Sequence, residues 1–301
     1  MALTLVEASK LSNDVLLQGV AEDLTNESEI LRWLPWMAIV GNGLTYNRED
    51  TPPAAAFFDV GDNWAESTPT FAQATATLRI MGGDADIDNF LRTTRSNIND
   101  LEAEVLRLKV RAVANLFDDT VINGDEGLDP NSFDGLDQRV TGGQTVSMGT
   151  DGAVLDENSL DKLDEMIDKG RGPGFDLLIM SRRSRRSLNK VARDTGGSFL
   201  STDRDDFGRW VQRYNDLPIA ITDYISDSQT VGTSNDTSTI YGVQFGPGGV
   251  MGLHAGELPF QVENIGSLEV KDATRHRVKG YVSLANFTTF SIARLIGVRA
   301  A

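Results

Sequence analysis

The chain has 301 residues, 40% of them hydrophobic, enough to bury a core in one large domain or two ordinary ones. No apolar run approaches the ~20 residues of a membrane-spanning helix, no basic leader with an apolar stretch opens the chain, and zero cysteines exclude disulfides, thiolate metal sites and cysteine nucleophiles. The formal net charge is −16, from 44 acidic against 28 basic residues, which repels nucleic acid on average and favours solubility.

In chain order, Leu5, Leu11, Val15, Leu16 and Val20 stand at the spacing of a weakly amphipathic helix over residues 3 to 20. A second, short helix is expected from Asn26 or Ser28 to just before Pro35, since a proline pushes the residue before it out of the helical region. From Gly41 the chain runs outward as Gly43-Leu44-Thr45-Tyr46-Asn47-Arg48-Glu49. It passes a turn-rich tip holding Pro52, Pro53, Phe57, Phe58, Trp64 and Pro69, and returns as a strand. In that strand Ala74, Ala76, Leu78 and Ile80 alternate with Thr75, Thr77 and Arg79, the period of two that marks a β-strand. A two-stranded arm is marginal in water by itself, and its aromatics lie far along the chain from any core. The expectation is that the arm lies on a neighbouring copy of the protein, with Tyr46, Phe57, Trp64 and Phe71 as inter-subunit contacts.

Gly82-Gly83 reads as a break. Residues 88 to 122, free of glycine and proline, then read as one continuous helix of roughly 50 Å. Leu101, Val105, Leu108 and Ala112, continued by Leu116, form one apolar stripe and are expected to face the core. A second stripe carries Leu106, Val110, Val113, Phe117 and Val121, and Asn123-Gly124 is the stop. After a Gly- and Asp-rich stretch, a helix is marked by Leu160, Leu163, Met166 and Ile167, and residues 175–180 read as a buried strand. Ser181 caps a helix through Val191. Strands follow at 217–221 and 239–245, residues 229–238 read as a polar loop, and Gly246-Pro247-Gly248-Gly249 as a turn. Residues 278–298 are strand-rich, with a slip of the alternation at Ala285-Asn286 that predicts a bulge.

Chemistry-bearing motifs are sparse. The histidines are His254 and His276, each in a strand context without a supporting metal or triad motif, and both read as structural. No phosphate-binding glycine loop is present. Asp84, Asp86 and Asp88 resemble the start of a calcium loop, but Asn89 stands where its glycine belongs and Arg95 where its last carboxylate belongs. They read instead as acids at the start of the long helix. Asp118-Asp119 and Asp205-Asp206 read as solvated acids, because sequence neighbours do not face each other on a helix. Arg182, Arg183, Arg185 and Arg186 form the basic cluster. It reads either as a DNA-facing patch or as arginines paired with aspartates of the same or an adjacent subunit, and the acidic field of the chain favours pairing. Aspartate outnumbers glutamate 30 to 14, and 7 lysines stand against 21 arginines. That bias fits adaptation to high salt, with assembly loosening at low ionic strength, or compositional drift in a GC-rich genome. No active site, cofactor or metal is expected.

The segments Leu3-Thr4-Leu5-Val6-Glu7-Ala8-Ser9-Lys10-Leu11, Leu44-Thr45-Tyr46-Asn47-Arg48-Glu49, Gly82-Gly83-Asp84-Ala85-Asp86-Ile87-Asp88, Phe133-Asp134-Gly135-Leu136 and Leu177-Leu178-Ile179-Met180-Ser181-Arg182-Arg183 follow one another in a telling order. That order resembles the major capsid proteins of tailed, siphovirus-like viruses of bacteria or archaea, whose shells have the Hong Kong 97-type fold. The resemblance implies an α+β subunit in five segments. They are an N-terminal arm (1–40), an extended loop (41–87), a peripheral domain with a spine helix (88–148), an axial domain (149–250) and peripheral return strands (251–301). It further implies hexamers and pentamers tiling an icosahedral head around double-stranded DNA. A portal protein would be a partner, together with a separate scaffold or none, and a decoration protein where one exists. The place would be the virion capsid, assembled in the host cytoplasm, with no membrane and no catalysis. Some such proteins weld neighbouring subunits through a lysine of the extended loop. Residues 41–88 contain no lysine, so a shell without covalent links is implied. Cellular nanocompartment shells, another branch of the fold, are the second reading, and a hydrolase using an aspartate pair on an α/β scaffold is the remote one.

Overall fold

The computed structural model describes residues 28–51, 53–64, 66–95, 101–196, 199–204 and 210–300. The helix expected over residues 3 to 20, the pair Asp205-Asp206 and the junction at residues 96–100 of the expected long helix lie outside them.

Ser28 caps helix α1 (Glu29–Trp33), its Oγ accepting from the Leu31 N–H at 2.9 Å, and the chain turns extended at Leu34 before Pro35. Strand β1 (Trp36–Ala38) follows. The arm is the antiparallel pair β2 (Gly43–Thr51) and β3 (Thr70–Thr77), in register from Gly43 opposite Thr77 outward. Past Leu78 the chain enters β4 (Arg79–Asp88), which runs straight through Gly82-Gly83. The glycines are therefore a place of close approach and no break. A Cβ on Gly82 would lie 2.2 Å from the Val278 carbonyl oxygen of the neighbouring strand. A Cβ on Gly83 would meet only the Lys109 side chain, which can swing aside. Gly82→Ala is accordingly expected to cost about 1–3 kcal/mol and Gly83→Ala distinctly less. Urea titration of the two variants checks this, and equal losses would contradict the packing.

Helices α2 (Asn89–Arg95) and α3 (Leu101–Asn123) come next, and the 23 residues of α3 span about 35 Å. Its buried side is the second stripe, Leu106, Val110, Val113, Phe117 and Val121. The expectation for the first stripe is corrected. Leu108 is 55% exposed, Ala112 is exposed and Val105 is only half-buried, while the Leu101 side chain lies outside what is described. Both stripes are apolar, and the one that docks carries the Phe117 ring. That ring sits 5.5 Å from Trp36 and 5.7 Å from Phe260 between ring centroids.

Beyond α3 come α4 (Leu136–Arg139), β5 (Thr145–Ser147), β6 (Ala153–Val154) and α5 (Leu160–Ile167). Strand β7 (Leu177–Met180) leads into α6 (Arg182–Thr195), whose cap is the Ser181 hydroxyl, accepting from Ser184 N–H at 3.2 Å. Strands β8 (Leu200–Arg204), β9 (Trp210–Tyr214) and β10 (Leu217–Ile221) then precede β11 (Gln229–Val231) and β12 (Ser234–Val243). These last two form a hairpin where a polar loop was expected. Thr237 and Thr239 are buried there because their hydroxyls donate to the Gln229 carbonyl (2.8 Å) and Gln229 Oε1 (2.5 Å). The chain closes with β13 (Val250–His254), β14 (Phe260–Ser267), β15 (Ala273–Asn286) and β16 (Ile292–Arg299). The slip at Ala285-Asn286 is the end of β15 and not a bulge, since the chain there crosses from one sheet to another.

The five-stranded sheet has the order β1-β13-β15-β14, with β4 also on β15, and the nine-stranded sheet the order β5-β16-β12-β7-β10-β9-β8, with β11 on β12 and β6 on β16. Strand β7 is buried on both faces. Leu177 and Ile179 join the core under α3, and Leu178 and Met180 the core under α5 and α6. Strands β5 and β16, from residues 88–148 and 251–301, belong to the sheet built by residues 149–250. Along β4 and β15, Arg277 forks onto Asp84 (2.6 and 2.9 Å) and Arg275 onto Asp86 (2.6 and 2.8 Å). Those acids are thus cross-strand ion-pair partners, neither helix-starting acids nor calcium ligands, and the guanidinium forks hold both carboxyls below their usual range.

Candidate functional site

The arm is rooted on its own chain and free at its tip. At the root Leu44, Tyr46 and Leu78 pack with Met37, Ala76, Leu253, Ala285 and Phe287. Tyr46, expected as an inter-subunit contact, is half-buried within its own chain. Its ring lies 4.9 Å from Phe287 and its hydroxyl oxygen accepts from the Asn286 N–H at 3.2 Å. The tip is different. Phe57 is fully exposed, Trp64 is 77% exposed and stacks on Phe58 at 4.5 Å, and Phe71 is 65% exposed. Ala54 N–H donates to Ser67 Oγ across the tip at 2.9 Å. Three exposed aromatic side chains thus stand on the tip and on the outer end of its two-stranded stalk, and among the described residues no buried core lies beneath them.

The basic cluster sits at the start of α6. Arg182 forks onto Asp223 at 2.6 and 3.0 Å, and Arg183 reaches Asp227 at 3.3 Å. Arg185 is half-buried and Arg186 exposed. Two of the four arginines therefore meet aspartates of their own chain. His254 and His276 are both buried in the five-stranded sheet, and burial holds His254 below its usual value. Among the described residues no group of carboxylates or histidines is arranged to hold a metal ion.

The reading of Asp118 as a solvated acid is corrected, because the residue lies inside the packed face of α3. Only 7% exposed, it accepts the Ser28 O–H at 2.5 Å, so the residue that caps α1 is tied to the C-terminal third of α3. Burial pushes its carboxyl up to about 7. The available signal was its place beside Phe117 and three residues before Val121, inside the broad apolar face of the helix.

No family model matches the sequence, and no curated protein matches it. Solved structures do. The SrpI encapsulin of Synechococcus elongatus is 20% identical with a TM-score of 0.70, the match covering 99% of this chain and 97% of that one. The capsid of the native GTA particle is 14% identical with a TM-score of 0.66 and 91% of both chains covered. A chain of Mycobacterium phage Adephagia is 14% identical with a TM-score of 0.62, covering 100% of this chain and 99% of that one. This chain has the Hong Kong 97-type shell fold. In the terms of that fold, α3 is the spine helix and the β2–β3 arm the extended loop. At these identities the likeness is one of fold, and sequence similarity contributes little to it.

Proposed function

We propose that the chain is a self-assembling structural subunit whose hexamers and pentamers build the icosahedral head of a tailed virus around double-stranded DNA. The observation that carries this reading is the arm, anchored on its own sheet and ending in exposed Phe57, Trp64 and Phe71. Large aromatics left bare in a subunit are the side chains that anchor interfaces, and a neighbouring copy is the surface they fit. A portal protein at one vertex completes the proposal, with a separate scaffold or none during assembly. A second reading, the shell of a cellular nanocompartment, is favoured by the likeness to the SrpI encapsulin over nearly the full length of both chains.

Electron microscopy of particles purified from the source cells tests both. Closed shells containing nuclease-protected DNA are expected. Closed shells filled with protein and free of nucleic acid would move the function to the nanocompartment, and dispersed single subunits would end the shell reading. On a denaturing gel the boiled particles should run as one band near 32.8 kDa, since residues 41–88 offer no lysine for a cross-link.

A further inference from the structure

At the root of the arm lies a cavity of about 330 Å³ that the shell reading does not use. Strand β2 brings Tyr46 and Arg48 to it, α4 brings Arg139, and β15 brings Ser283. The two guanidinium groups flank one phenol. Arg48 Nη2 donates to Tyr46 Oη at 3.3 Å, and Arg139 lies close enough to Tyr46 for the two to interact. Arg139 also donates through Nε to the Asp134 carbonyl at 2.8 Å.

The carboxylates lining the cavity are already engaged. Glu126 is ion-paired with Arg79, and Asp134 Oδ1 accepts the Glu126 N–H at 2.9 Å. Among the described residues no carboxylate is within ion-pair distance of Arg48 or Arg139; Asp134 acts on Arg139 only from farther off, which leaves the arginines in excess. Two further donors are idle: Arg48 Nε and the hydroxyl of Ser283, a residue only 1% exposed, are both buried without a hydrogen-bond partner. Buried donors are satisfied in folded proteins, and here every idle group is a donor while the surplus charge is positive. The missing component is an acceptor that carries negative charge.

We propose that this cavity is an oxyanion site, in which a phosphate or carboxylate group is held by Arg48 and Arg139 and receives the Ser283 O–H. Arg48 belongs to the arm and Arg139 to the body, so the anion ties the arm to the body and sets the angle at which the arm leaves it. Burial weakens the hold of Arg139 on its proton, against the opposing pull of Tyr46 and the Asp134 carboxylate, and the nearby Arg48 charge adds to the weakening. Two sources offer the same chemistry: free inorganic phosphate, and a carboxylate side chain of a neighbouring copy.

The test is thermal unfolding of the full-length, dissociated chain in chloride and in inorganic phosphate at equal pH and ionic strength. Saturating phosphate is expected to raise the midpoint by about 3 °C or more. The shift should vanish in Arg48→Gln and Arg139→Gln and persist in Arg186→Gln, which alters an arginine outside the cavity. Should either cavity arginine be needed for folding, Ser283→Ala removes only a hydroxyl and is expected to weaken phosphate about tenfold. Equal midpoints in the two salts, or a shift that survives all the cavity variants, would overturn the proposal. Repeating the measurement on assembled particles separates the sources. A phosphate effect that persists there identifies a free anion, and one present only in dissociated chains identifies a neighbour's carboxylate. The first arm needs no particles, so its outcome stands apart from the fate of the shell reading.

Discussion

Phe117→Ala is expected to cost the subunit about 3–5 kcal/mol of folding stability, while Leu108→Ala on the same helix costs less than about 1 kcal/mol. Phe117 is fully buried at the point where α3, β1 and β14 meet, and its ring contacts Trp36, Phe133 and Phe260. Truncation there loses the transfer energy of a whole ring and leaves a cavity that three further aromatics cannot collapse to fill. Leu108 is 55% exposed, so alanine loses little burial and opens no void. Urea unfolding of the dissociated subunit measures both. Comparable losses for the two variants would mean that α3 docks through the other stripe and that its assigned rotation about the helix axis is wrong.

Asp118 should give the subunit a pH dependence that Asp118→Asn abolishes. Its folded value, about 7, lies above the ordinary 3.8 because burial penalises the charged form, with the Ser28 hydrogen bond opposing that rise and the Glu29 charge adding to it. Between those two values the folded chain holds a proton that the unfolded chain has released. Stability is therefore highest near pH 4, falls as pH rises to about 7, and is level above it. A displacement of that size corresponds to a loss of roughly 4 kcal/mol across the window, as an order of magnitude. His254 works in the opposite sense. Its value is held down by burial, so its contribution is present at neutral pH and lost on acidification. The difference between wild type and Asp118→Asn isolates the carboxyl from that background. Denaturant titrations at pH 4.5, 6 and 8 should show the variant gaining on the wild type at each step. Parallel curves would place Asp118 in solvent and remove the link between Ser28 and the spine helix.

The features legible in the sequence are those settled within a few residues of themselves. The alternation from Ala74 to Thr77, the Ser28 and Ser181 caps, the stop before Pro35 and the apolar run of β7 are each specified by local backbone and side-chain geometry. The alternation does not continue to Ile80, which is 80% exposed while Met81 is buried, because the phase changes where β3 ends and β4 begins. Their order along the chain was enough to name the fold. The tertiary structure decided what depends on partners distant in sequence. Gly82-Gly83 looks like a break until Val278 lies against it, and Asp84 and Asp86 look like helix-starting or metal-seeking acids until Arg277 and Arg275 stand opposite. The hydroxyls of Thr237 and Thr239 suggest a loop until Gln229 satisfies them across a hairpin. Two apolar stripes on α3 are equivalent by period, and the choice falls to the one whose Phe117 finds Trp36 and Phe260. The arm follows the same division. Its return strand was readable from periodicity, but only packing shows that Tyr46 is spent on its own chain while Phe57, Trp64 and Phe71 stay bare. A local pattern states which face of an element is apolar; which surface covers that face is decided by the summed contacts of segments far apart in the chain.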